Sequence, residues 1–227
     1  MTVKTSTRLA RAVSLPVALT LALTAPVFAH AADSDSGRHD RTYRIALEPL
    51  NDSGARGTAT LTLDGRQLKV TIDVRGLAPG LPHAQHIHGS TDGHDHFCPD
   101  MSADTNKDGV LTTAEGLPAY GDINISLTTK GDTTKASGLA VDRMPVADEN
   151  GALSYSRTIA VSQAVADHIE DLHVVQHGID PNGNGRYDFG KGKSELDPKL
   201  PQEATAPATC GMIKGTTAHS SGAAAES

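Results

Sequence analysis

Residues 57–74 read GTATLTLDGRQLKVTIDV. Apolar and polar side chains alternate through Gly57–Leu63 and again through Gln67–Val74, the period of a strand with one buried face. Asp64-Gly65 joins the two runs as a hairpin turn would. Leu68, Val70, Ile72 and Val74 then fall on one face, which is the core side. Outward from this hairpin the pattern repeats. Tyr43, Ile45 and Leu47 alternate within a strand expected over Thr42–Leu50. Further short strands are expected at Asp122–Thr128, Ser137–Val141, Leu153–Val161, Leu172–His177 and Cys210–Ile213. Ser162 can cap a short helical turn running to Glu170. Trp is absent and aromatics make up 3% of the chain, so the core must come from Val, Ile, Leu and Ala. Many short strands with little helix predict an all-β fold, a Greek-key β-sandwich or flattened β-barrel.

The length of 227 residues fits one domain with appendages. Lys4, Arg8 and Arg11 precede an apolar run from Ala12 to Ala29, and Ala29-His30-Ala31 fits a small-x-small cleavage site. Residues 1–31 therefore read as a signal peptide and the protein as secreted. Residues 32–41 read as a disordered linker, 42–215 as the β domain and 216–227 as a disordered tail. Cleavage after Ala31 removes three of the 20 basic residues and none of the 27 acidic ones, deepening the formal charge from −7 to −10. That balance excludes nucleic acid as a partner and suits cations. No membrane association is expected once the leader is gone. Two cysteines in an oxidising compartment, Cys98 and Cys210, read as one disulfide.

Pro82–Gly89 carries three histidines in six residues. On a strand, His86 and His88 share a face and His83 takes the other. Two imidazoles side by side supply two-thirds of a copper or zinc site. A polar, partly exposed strand rich in histidine is the other reading. His94 and His96 flank Asp95 and read as a solvated turn or as added ligands. Residues 104–115 match an EF-hand loop. Oxygens would come from Asp104, Asn106, Asp108, the Val110 carbonyl, Thr112 and a bidentate Glu115, with Gly109 at the sharp turn. Cys98-Pro99 before it and Gly116-Leu117-Pro118 after it predict flanks that are not helical. A second loop, with Asp180, Asn182, Asn184 and Asp188, reads as a further calcium site or as Asn-Gly turn chemistry. Its twelfth position, Lys191, cannot bind a cation.

Four landmarks carry a family resemblance. Gly76-Leu-Ala-Pro-Gly80 leads into His83-Ala-Gln-His86-Ile-His88. Cys98 follows shortly after. Val174-Val175-Gln176-His177 comes later, and Cys210-Gly211-Met212-Ile213 comes last. Together, from about residue 43 to 214, they resemble the Cu/Zn superoxide dismutases. Chordin-type (CHRD) domains share the HxH strand and are the competing family. The resemblance implies copper at His86, His88 and His177, a structural role for His83, a Cys98–Cys210 bridge and superoxide as small-molecule substrate. His173 lies on the face of His177, too far along the strand to share its ion. The family's zinc-loop histidines have no counterpart between Cys98 and His168, so zinc is not expected. Pro207 stands where the family places an arginine that guides superoxide. The sequence leaves open whether the protein is an enzyme or a non-catalytic metal-binding module, and its oligomeric state.

Overall fold

The computed structural model describes residues 40–214. The expected leader, residues 32–39 of the linker, and the tail from 216 lie outside those residues. Eight strands form: β1 (Arg41–Pro49), β2 (Arg56–Asp64), β3 (Gln67–Arg75), β4 (Gln85–Gly89), β5 (Ile123–Ser126), β6 (Leu153–Ala160), β7 (Leu172–His177) and β8 (Pro207–Met212). Three short helices accompany them: α1 (Thr113–Tyr120), α2 (Gln163–Asp167) and α3 (Gln202–Thr205). The strands make one sheet in the order β5-β4-β7-β8-β1-β2-β3-β6, antiparallel at every pairing. The fold is all-β, as the alternation predicts.

The β2–β3 hairpin pairs Asp64 with Gln67, leaving Gly65-Arg66 as a two-residue turn. Leu68, Val70, Ile72 and Val74 are buried, and so are Tyr43, Ile45 and Leu47. Ile87 and Ile125, near one end of the strand order, share a single core cluster with Leu153, Tyr155 and Ile159 from the other end. The segment that follows β5 also bonds to β6. Tyr155 Oη donates to the Thr128 carbonyl (3.1 Å), and the Arg157 guanidinium donates to the same oxygen (2.7 Å). The sheet therefore curls over one core, with the segment after β5 bonded to β6.

Two local expectations are corrected. Ser137–Val141 is not a strand. It lies among 3₁₀ turns at Lys135–Ser137 and Val141–Arg143. Asp132 explains this: its Oδ2 accepts from the Thr134 amide and from the Thr134 and Ser137 hydroxyls. Such local bonds compete with ladder pairing. The second correction is the flank of the 104–115 loop, which is helical on its C-terminal side. α1 starts inside the loop. Thr112 Oγ1 accepts from the Glu115 amide and Glu115 accepts from the Thr112 amide, a capping box that overrides Gly116 and Pro118. Cys98 and Cys210 are bonded across a separation of 112 residues. Among the described residues no helix is long and apolar enough to cross a membrane.

Candidate metal centre

β4 is buried on both faces. Gln85 and Ile87 turn to the core side, while His86 and His88 turn to the side covered by the connections that follow. β7 lies beside β4, with His86 opposite Val175 and the His177 amide bonded to the Ala84 carbonyl (2.8 Å). The β7–β8 register slips between Gln176 and His177, an irregularity of the kind that re-aims a side chain. Gly178 follows with φ +104°, and a Cβ there would collide with the Tyr187 hydroxyl and His83. The chain can thus turn away immediately after presenting His177.

The three rings converge. Centroids lie 5.3 Å apart for His86 and His88, 5.1 Å for His86 and His177, and 5.9 Å for His88 and His177. One ligand nitrogen from each lies within 4.8 Å of the other two, and all three residues are buried. The other nitrogen of each ring is tied down. His86 Nε2 donates to the Gly138 carbonyl (3.0 Å), His88 Nδ1 to the Gly121 carbonyl (2.8 Å) and His177 Nδ1 to the Thr205 carbonyl (2.7 Å). A carbonyl only accepts, so each contact fixes the N–H on that atom and leaves a lone pair on the other. Those remaining atoms, His86 Nδ1, His88 Nε2 and His177 Nε2, are buried and have no hydrogen-bond partner. Burial, reinforced by the His177 and His88 rings beside it, holds His86 far below the usual imidazole range. Burial first, with His177 adding to it, pulls His88 down to about 3. Burial alone outweighs the Thr205 carbonyl and pulls His177 down to about 4. Three neutral imidazoles with lone pairs meeting at one point, each oriented by a backbone acceptor, are the arrangement of a metal site. The cluster can hold a metal ion.

The supporting residues come from segments far apart in sequence. Tyr120 of α1 packs edge-on against His88 at 4.7 Å between centroids, and its hydroxyl donates to the Thr113 carbonyl (2.9 Å). Thr113 Oγ1 donates to the Thr205 carbonyl (2.6 Å), the acceptor that also holds His177. His83, on the opposite face of its segment, is buried, with Nδ1 2.9 Å from the His177 carbonyl and Nε2 3.0 Å from the Ala78 carbonyl. It braces the end of β7. Sequence reasoning found the histidines but not Gly121, Gly138 or Thr205, whose contribution is a carbonyl that every residue carries. It also missed the Thr112/Glu115 capping box, although the spacing was there to be read.

The 104–115 loop folds around its own side chains. Asp104 accepts from the Lys107 and Gly109 amides, Asn106 from Asp108, and Asp108 from Val110. Gly109 turns at φ +83°. Burial works against the charge of Glu115, but the Thr112, Thr105 and Asn106 donors outweigh it and hold the carboxyl down at about 2. Asn51, in the β1–β2 turn, clamps the loop through both amide and carbonyl of Leu111 (2.6 and 2.8 Å). In the second loop Asp180 accepts from the Asn184 and Gly185 amides, and Asn182 and Asn184 both donate to Asp188. Glu203 of α3, buried and unforeseen, accepts from the Asp188 amide (2.8 Å). Among the described residues the three-histidine cluster is the group of His, Cys, Asp or Glu whose ligand atoms converge; the acidic loops do not draw theirs together to that degree.

His94 is exposed and paired with Asp92 (2.7 Å), apart from the cluster. His96 Nδ1 donates to the Ala119 carbonyl (3.1 Å). His173 sits opposite His88 on β7 and does not join the three. The chain matches no model of a known protein family and shows no significant match to a curated protein.

Proposed function

We propose that this is an exported copper protein of the superoxide dismutase type, with copper at His86, His88 and His177. The observation that carries the reading is the convergence of three bare, buried ring nitrogens, each on a ring whose other nitrogen is bound to a backbone carbonyl. Imidazole suits copper in both its oxidation states. The order of the four sequence landmarks supports the family, as do the Cys98–Cys210 bond and the antiparallel sheet. The chain also passes from β3, next to one edge strand, to β4, next to the other, a long crossover that supports a Greek-key reading. The loop at 104–115 is proposed to hold calcium, with Asp104, Asn106, Asp108, Val110, Thr112 and Glu115 as ligands. A calcium ion at Asp180, Asn182, Asn184 and Asp188 is the secondary proposal.

Copper there would supply one-electron chemistry, so that two superoxides and two protons give one dioxygen and one hydrogen peroxide. The chain's residues hold the ion and keep its ligands neutral at pH 7; the protons come from water. A second reading has a specific observation behind it. The cavity of about 130 Å³ that reaches His177 is lined by Pro82, Ala84, Leu139, Val141, Leu200 and Pro201, with no charged side chain among its lining residues. With Pro207 at the position of the family's guiding arginine, nothing there draws in an anion. That favours a non-catalytic copper-binding module.

Elemental analysis of purified mature protein, paired with a superoxide assay, separates these readings. Stoichiometric copper with turnover above that of aqueous copper supports the dismutase. Copper without turnover supports the module. His86→Ala, His88→Ala and His177→Ala should each strip the copper and leave the β circular-dichroism spectrum in place. Full copper in all three variants would place the ion elsewhere and end the proposal.

A further inference from the structure

Beside the three-histidine cluster a fourth imidazole is buried without use. His173 is 1% exposed, and neither of its ring nitrogens has a hydrogen-bond partner. A neutral imidazole carries one N–H and one lone pair, and leaving both unmet in the interior is costly. Such an orphan calls for a ligand or an ordered water.

The sheet gives this ring two informative neighbours. In register, His88 of β4 faces His173 of β7, and His173 faces Met212 of β8. Directly opposite residues share a face with Cβ atoms about 4.5–5.5 Å apart. The three side chains therefore form a row across β4, β7 and β8 that starts at the metal centre. Beside its His173–Met212 part lies a cavity of about 420 Å³, lined by Asp95, His96, Glu170, Asp171, His173 and Met212 among others. Lys214 is the one Lys or Arg among the lining residues, against three carboxylates. His96 donates its Nδ1 proton to Ala119, which leaves Nε2 with the lone pair.

We propose that His173, Met212 and His96 form a second site for a soft monovalent cation, copper(I), distinct from the three-histidine cluster. Imidazole with thioether is a donor set that selects copper(I) over hard divalent ions. The acidic rim attracts a cation into the cavity, and the row from Met212 through His173 to His88 gives it a path inward. The site would serve as a loading position for the buried centre. That role rests on the copper reading above; the existence of the site does not.

Silver(I), a redox-inert stand-in for copper(I), is the probe, titrated into the metal-free mature protein and counted by native mass spectrometry. The wild type should take a first and a second equivalent. His173→Phe and Met212→Leu should lose the second equivalent, or bind it at least about tenfold more weakly, while keeping the first. His86→Ala should do the reverse. Met212→Leu keeps the shape of a half-buried side chain, so its result stands even if His173→Phe folds poorly. A single equivalent in the wild type, removed by His86→Ala alone, overturns the second site and means that an ordered water serves His173. A second equivalent untouched by both His173→Phe and Met212→Leu also overturns it. A first equivalent indifferent to His86→Ala would instead count against the copper centre.

Discussion

Each imidazole of the cluster gives one proton to a carbonyl and shows a bare nitrogen to the others, which makes the metal-free protein sensitive to acid. The unfolded chain holds these rings at the ordinary value near 6.5. In the fold His88 lies at about 3 and His177 at about 4, with His86 also far down. Below pH 6.5 the unfolded state binds more protons than the native one, so stability falls as pH drops, through the window from 6.5 to about 4. The loss should be about 1–2 kcal/mol by pH 5 for each of His88 and His177. Urea unfolding of metal-free protein should show a lower midpoint at pH 5 than at pH 7. Equal midpoints would mean that the rings take up protons in place. A bound metal opposes the same protonation, because the ion needs the neutral ring. At this scale the sequence was informative where chemistry lies in side chains. His86 and His88 stood out by period two, and His177 by its Val-Val-Gln-His setting. The carbonyls of Gly121, Gly138 and Thr205 left no mark, because backbone groups carry no residue identity.

At the scale of elements, α1 changes how the proposed calcium site at 104–115 can be tested. Glu115 is both the twelfth loop position and the third residue of a helix, bound into a capping box with Thr112. Glutamine can close that box as glutamate does, but it lacks the charge a calcium ion needs. Chelator should therefore lower the melting temperature of the wild type by the amount RT ln(1 + [Ca²⁺]/Kd) implies, and Glu115→Gln should melt alike with and without chelator. A wild type indifferent to calcium would remove the ion from this loop. The hairpin at 57–74 was legible because alternation and turn chemistry agreed over its whole length. α1 was not, because Gly116 and Pro118 mask a short helix whose start is fixed by two side chains. Ser137–Val141 failed for the opposite reason: its apolar residues suggested a strand, but Asp132 binds the segment from outside it.

For the whole molecule, the order of strands in the sheet was the least legible feature, since β4 pairs with β7 across more than eighty residues of chain and no local pattern encodes that distance. The disulfide was legible by arithmetic, and its placement matters more than its existence. It fastens the connection between β4 and β5 to the last strand of the sheet. The same connection ends at Gly121, the carbonyl that holds His88, and carries Tyr120, which packs on that ring. Reduction should cost about 2–5 kcal/mol of stability. It should also weaken metal binding by about 10–100-fold, the usual effect of disturbing a partner that orients a ligand. Competition for copper against a chelator, with and without a thiol reductant, reads this directly; equal affinity in both would break the link. The bridge would then act as a gatekeeper of timing. On that prediction, a chain whose cysteines are still thiols would hold the His88 ring loosely and would yield an ion to a competitor more readily. Oxidation of one sulfur pair would lock the aim, so that secure possession of a metal would begin only where the surroundings allow that bond to form.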